Sequence, residues 1–308
     1  MNKTTVSFFD PTFKENNLPV FFRQTNGFKG YYDNMQFSMN NLDAEWQVIG
    51  TWNNNIESIK DKRIIYLQQE PPECKLPDKS ILDNTTFTIS PFRFNHFVKQ
   101  FITFTPLQWT YDLNITFKNG QGHIIELANN KSFEDLKSLP VPTKNKICSM
   151  IVSTKSFLPG HLKRFNFTKK LISHFKDKID FYGFGFNPIK NKKDAIDPYI
   201  YSISIENSCY PNYWTEKISD VYLGYCAPVY YGCTNIENYF NKQSLIKLNI
   251  DNLDYSICKI ESILNNPATI NINTIKESRN KVLEKYNFFK TITDSINNYK
   301  LSEDIMAY

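Results

Sequence analysis

From Lys146 onward, short apolar runs alternate with stretches of helical spacing, and no other feature of the chain constrains its fold as strongly. Residues 146–152 form a compact apolar run between Pro142 and Pro159-Gly160, which reads as a buried strand. Residues 161–176 then carry Leu162, Phe165, Leu171, Ile172 and Phe175 near helical spacing. Strands are expected again at 179–183, 200–205, 227–232 and 244–248. Helices are expected at 215–225, where Thr215 sits as an N-cap, at 236–240 and at 253–264. Strands interleaved with helices in this way specify a parallel sheet with right-handed crossovers, a Rossmann-like α/β layer.

The first half is harder to read. Candidate strands at 4–9, 46–51, 63–67 and 101–104 are separated by long polar stretches, and a second α/β unit is the expectation. A chain of 308 residues accommodates two domains of ordinary size. Pro140, Pro142 and the polar Thr143-Lys144-Asn145 make the best linker, giving domains at 1–142 and 143–275. Residues 276–308 are expected as a helical tail packing back on the body, with Val282, Tyr286, Phe289 and Ile296 on one stripe of a helix over 275–299. The polar face of that helix mixes Glu and Asp with its lysines, which disfavours a membrane-surface role.

A net charge of +5 is mild, and the basic residues are scattered, densest at Lys163-Arg164, Lys169-Lys170 and 190–193. That distribution suits a small anionic ligand better than a nucleic-acid backbone, and no nucleic-acid partner is expected. The six cysteines (Cys74, Cys148, Cys209, Cys226, Cys233 and Cys258) show no C-x-x-C spacing, and four histidines give no zinc pattern. Reduced thiols are the simplest reading. No apolar run approaches the roughly 18 residues of a membrane span, and the start lacks the apolar core of a secretory signal. A cytoplasmic protein is therefore expected, with peripheral association at the inner membrane face left open. Neither His161 nor His96 has a carboxylate partner nearby in sequence, so a structural or surface role is expected of both.

Chemistry concentrates in Ser204-Ile205-Glu206-Asn207-Ser208 and Asn212-Tyr213-Trp214-Thr215-Glu216-Lys217-Ile218. This is a strand ending in Glu-Asn, a loop, and a helix opening on Thr-Glu-Lys. Doubly wound sheets bind ligands where strands end and helices begin. The amides of a helix N-terminus attract phosphate, and Lys217 adds a full charge there. Glu216 cannot hold phosphate but can accept hydrogen bonds from a ribose diol, so the spacing suits a nucleotide.

These residues, followed by a helix, Pro228-Val229 and Gly232, resemble the donor-site signature of the α-1,3-fucosyltransferases, glycosyltransferase family ten. The resemblance runs in order from Tyr199 to Asn249, through Ile236-Glu237-x-Tyr239-Phe240 and Ser244-Leu245-Ile246. Upstream, Gly160-His161-Leu162-Lys163-Arg164 resembles the family's basic helix start, whose Arg faces the donor pyrophosphate. The resemblance implies a GT-B fold, two Rossmann-like domains facing each other across a cleft. It implies donor-binding roles for Arg164, Glu206, Asn207, Tyr213, Thr215, Glu216 and Lys217. In the first half, Gln68-Gln69-Glu70-Pro71-Pro72 ends a strand in a Glu, as the family does at its acceptor base, although many relatives have Gly-Glu-Asn there. Glu70 is the expected base and Glu73 the fallback.

What the resemblance implies, then, is an inverting, metal-independent transfer of fucose from GDP-fucose to a hydroxyl of a GlcNAc- or Glc-containing glycan or glycolipid, such as lipopolysaccharide O-antigen. No cofactor is called for, and oligomeric state is left open. The absence of any D-x-D triplet fits a site where protein cations do a metal's work. The alternatives are a related transferase using another GDP- or nucleotide-linked sugar, and a non-catalytic nucleotide- or carbohydrate-binding protein of the same fold.

Overall fold

A computed structural model describes residues 3–13, 17–53, 55–117, 123–127, 131–267 and 271–306. The chain forms two compact units. The first runs to Gln108 and takes in Lys131–Asp135 and the chain from Glu284 on; the second begins at Trp109 and holds Leu136–Leu283.

In the first unit, β1 (Thr4–Phe8) is followed by α1 (Leu18–Phe21), β2 (Tyr31–Tyr32), β3 (Met35–Met39), β4 (Trp46–Gly50) and β5 (Arg63–Leu67). Then come α2 (Lys79–Asp83), β6 (Phe87–Ser90) and β7 (Lys99–Ile102). The sheet order is β2-β3-β1-β4-β5-β6-β7, parallel except for the short β2. Both faces of the sheet are covered, as a parallel sheet requires. One face joins Val6, Phe8, Trp46, Val48, Ile65, Leu67 and Phe87 to Phe288, Phe289, Ile292 and Ile296; the other packs Ile49, Ile64 and Tyr66 against Ile59 and Ile81. Phe8 stacks on Phe288 at 5.5 Å and Phe37 meets Phe289 edge-on at 4.9 Å. Each such buried ring contributes roughly 1.5–3 kcal/mol.

The second unit contains the hairpin β8 (Leu113–Phe117) and β9 (His123–Leu127), and α3 (Phe133–Ser138) bridges the division. Next come β10 (Lys146–Ile151), α4 (Pro159–Phe175), β11 (Asp180–Tyr182), β12 (Tyr199–Ile205), α5 (Glu216–Leu223) and β13 (Ala227–Tyr231). The unit closes with β14 (Ile246–Lys247), α6 (Leu253–Asn265) and α7 (Ile272–Asn280). Its sheet is wholly parallel in the order β11-β10-β12-β13-β14. The final helix, α8 (Phe288–Met306), is the one whose apolar side chains enter the first unit's core.

Two boundaries differ from the sequence reading. The division falls before Trp109, not at Pro140–Pro142, because the stretch after Trp109 is tied into the second unit by polar contacts. Thr110 N and Tyr111 N both donate to the buried Asp220 carboxylate at 3.0 Å, and Ile115 N donates to Lys190 O at 2.7 Å. The tail, expected as one helix from 275, breaks after α7. Asn287 caps α8 by accepting from Phe289 N at 2.9 Å, while its amide donates to Gln24 O at 3.0 Å. A side chain that serves the backbone as an N-cap starts a new helix there. Among the described residues no helix is long and apolar enough to cross a membrane.

Candidate donor site

In the second sheet the chain goes from β10 to β11 on one side and then to β12 on the other, so the strand order reverses between β10 and β12. The crevice beyond the carboxyl ends of two such strands is where doubly wound sheets place ligands. Here those ends deliver Ser153 after β10 and Glu206-Asn207 after β12. The N-termini of α4 and α5 meet there too. Gly160, at the start of α4, lies so close that an added Cβ would fall 1.7 Å from Asn207 O, so only glycine permits this approach.

Glu206 organises the site from below. Its side chain is fully buried and accepts from Thr215 N at 2.9 Å and from Thr215 Oγ1 at 2.8 Å, with Lys217 Nζ 3.4 Å away. Gly232, at φ +154°, closes over it, and a Cβ there would meet the Glu206 side chain at 2.4 Å. Burial pushes the Glu206 carboxyl up, opposed by Lys217 and Thr215. Thr215 is the N-cap of α5, as the sequence predicts, accepting from Lys217 N at 3.3 Å. The structure therefore gives Glu206 and Thr215 an internal task, fixing the helix start. Tyr213 is likewise buried.

Asn207, Glu216 and Lys217 stay partly open to solvent, and Arg164 lies beside them. Arg164 Nη1 donates to Asn207 Oδ1. Burial lowers the basicity of the guanidinium, while Glu206, Tyr213 and Glu216 support its charge. Burial opposes ionisation of Glu216, yet Lys217 and Lys192 hold its carboxyl down to about 2. Burial would lower Lys217 in turn, but Glu216 and Glu206 raise it, so the ammonium stays charged. Two cations and two helix N-termini thus surround one small crevice, a setting for a compact anion of high charge.

The sequence reading missed Lys192 as a site residue, while the burial of His161 agrees with the structural role expected of it. Lys192 Nζ lies 2.7 Å from Asp220 Oδ2 and 4.0 Å from Glu216 Oε1, and only its place in the basic run 190–193 signalled it. His161 is buried on the first turn of α4, with Arg164, Lys155 and Lys217 acting on its titration. His96 pairs with Asp83 at 2.9 Å, a partner thirteen residues away.

In the first unit, Glu70 follows the carboxyl end of β5 and is half-buried, while Glu73 is exposed. The buried Gln68 amide donates to Lys75 O at 2.8 Å and also to Glu70 O, which fixes the loop. The neighbouring Cys74 thiol is pushed up by burial and by the Glu70 and Glu73 carboxylates. All six cysteines are unpaired thiols.

Residues 141–260 match the model of the C-terminal domain of glycosyltransferase family 10 (fucosyltransferase), which contains every second-unit site residue named above. Among curated proteins, the α-(1,3)-fucosyltransferase FucT of Helicobacter pylori is 32% identical over 74 residues. That match spans 24% of this chain and 15% of the relative's length. Among solved structures, an α1,3-fucosyltransferase superposes with a TM-score of 0.54 at 16% identity, covering 95% of this chain and 91% of the other. The α1,3-fucosyltransferase solved with GDP-fucose gives a TM-score of 0.50 at 16% identity, covering 92% of this chain and 82% of the other. The two Rossmann-like sheets have the GT-B fold of those structures, and the family match includes the span 199–249 on which the resemblance was drawn.

Proposed function

We propose that this chain, whose residues 141–260 resemble the C-terminal domain of the family 10 fucosyltransferases, is an inverting glycosyltransferase that moves fucose from GDP-fucose to a glycan hydroxyl. The observation that carries the reading is the cationic crevice at the β10–β12 switch point, where Arg164, Lys217 and two helix starts meet inside the matched segment. A diphosphate leaving group develops charge as the sugar departs, and preorganised donors are worth most at such a point.

In the proposed reaction the acceptor oxygen forms a bond to the anomeric carbon as the bond from that carbon to the β-phosphate oxygen breaks. GDP leaves with the electron pair, and the acceptor proton passes to Glu70. General-base assistance of this kind contributes roughly 10²–10⁴ in rate. Glu216, ionised and partly open, is placed to accept from the ribose diol. The reading invokes no cofactor or metal, so chelation should leave transfer unchanged. A GlcNAc- or Glc-containing glycan or glycolipid, as in lipopolysaccharide O-antigen, is the proposed acceptor class, and the cytoplasm the proposed location.

The test is a donor screen. GDP should raise the melting temperature more than UDP or CMP, and a larger shift with UDP would overturn the donor assignment. Arg164→Ala and Lys217→Ala should each weaken GDP binding by about one to two decades, the worth of a charge-assisted hydrogen bond. Donor hydrolysis by the purified chain would exclude a non-catalytic binding protein.

A further inference from the structure

Two buried polar atoms near the start of α4 have no hydrogen-bond partner among the described residues: His161 Nδ1 and Arg164 Nε. Each residue is only 6% exposed. Spaced three apart, they lie one turn from each other on the same helix face. They share the N-terminal end of the helix, whose first N–H groups have no partner within the helix. Buried polar atoms left unbonded are rare and unfavourable. Two of them side by side at a helix start describe a place that a ligand completes.

The charges around His161 specify that ligand. Burial and three cations bear on the imidazole: Arg164 on its own helix, Lys155 on the loop after β10, and Lys217 on α5. Glu206 and Glu216 are engaged with Lys217. Together these forces hold the imidazole down to about 4, neutral at physiological pH. Phe157 lies edge-on to the ring at 4.7 Å and is itself mostly exposed.

We propose that His161 is a third anion-binding group of this site, donating to the diphosphate of the nucleotide sugar and taking up a proton from solvent as the diphosphate binds. The inference rests on the reading of the crevice as a diphosphate site. An incoming diphosphate offsets the field of Arg164, Lys155 and Lys217, which restores the imidazole's basicity. The imidazolium then stands beside the leaving group when its charge is greatest. The absence of a sequence-adjacent carboxylate had pointed only to a structural or surface role for this residue.

Calorimetric titration of the purified chain with GDP, at pH 6.5 in two buffers of different ionisation enthalpy, counts the protons taken up. Wild type should take up a larger fraction of a proton than His161→Gln or His161→Phe. Both variants should bind GDP about tenfold more weakly. Guanosine, which has no phosphate, should bind all three alike. The Phe variant keeps the ring packing against Phe157, and thermal unfolding confirms that each variant is folded. Wild-type affinity together with wild-type proton uptake in the two variants overturns the proposal. Lys217→Ala separates the two levels of the argument. Weakened GDP binding there, with His161 variants unaffected, removes only this inference, whereas unaffected GDP binding in Lys217→Ala removes the diphosphate site itself.

Discussion

Lys217 is held in place by two carboxylates of unlike character. Glu206 is sealed in, shares its oxygens with Thr215, and serves the fold; Glu216 is one-fifth exposed and faces the crevice. Removing Glu206 leaves Thr215 N and Oγ1 without their acceptor, at a cost of about 1–3 kcal/mol, while Lys217 keeps Glu216 as a partner. Glu206→Ala should therefore lower unfolding stability by about that amount in urea titration, and a loss below about 1 kcal/mol would show that the carboxylate does not hold the helix start. Glu216 makes a different prediction because Lys217 and Lys192, against the effect of burial, hold its carboxyl near 2, below the ordinary 4.5 of a glutamate. Its contribution to stability is complete above about pH 4.5 and fades as pH falls toward 2, since the unfolded chain binds the proton more readily. Glu216→Gln should flatten that part of the acid-unfolding curve while leaving the pH dependence above about pH 5 unchanged. An unchanged acid limb would mean that Lys217 and Lys192 do not act on Glu216 as the geometry indicates.

At the scale of elements, legibility followed burial. Strands β10, β12 and β13 are covered on both faces and read as apolar runs, so the sequence places them within a residue or two of where they lie. In the first unit the same physics is written in weaker letters. Strand β6 is four residues, Phe-Thr-Ile-Ser, and its Thr88 and Ser90 are as buried as its Phe87, so no hydropathy pattern reveals it. Strand β7, expected at 101–104, lies at Lys99–Ile102, because its register is set by pairing Phe87 with Lys99, a long-range fact. The residues of the candidate site from Glu206 to Lys217 were legible because they cluster within twelve positions of chain. Arg164 was found by likeness alone, and Lys192 reached Glu216 through folding that no local pattern encodes. The break between α7 and α8 was invisible because the apolar stripe continues across it; only the Asn287 cap marks it. Asn287→Ala should cost about 0.5–2 kcal/mol. It should leave GDP affinity unchanged, since the cap belongs to the first unit and the crevice to the second. Lost GDP affinity in a folded Asn287→Ala variant would contradict that separation.

Across the whole molecule the two sheets repeat one topology. In each, the first parallel strand (β1, β10) has its successor on one side (β3, β11) and the later strands on the other (β4 to β7, β12 to β14). Each unit therefore has its own reversal point, and the proposed transfer needs two sites, one for the donor and one for the acceptor. The second unit's site is built for an anion. On the first, the carboxyl ends of β4 and β5 present Trp52, exposed on a turn, and Glu70 on a loop fixed by the Gln68 amide. Thr51 Oγ1 accepts from Gln69 N at 2.7 Å, so the two loops are tied to each other. An apolar ring face and a carboxylate on one sheet edge suit a sugar and its hydroxyl proton. If Glu70 is the base, Glu70→Gln should keep the wild-type affinity for GDP, because every donor-site residue lies in the other unit. It should lose transfer to a GlcNAc- or Glc-containing acceptor by roughly 10²–10⁴, since an amide cannot take the proton. Glu73→Gln, altered at an exposed position, should transfer at close to the wild-type rate. Near-normal transfer by Glu70→Gln would refute the role, and loss in Glu73→Gln alone would move the base three residues along. Loss of GDP binding in both would instead mean that the Pro71-Pro72 loop shapes the fold, and that the proton leaves by another group.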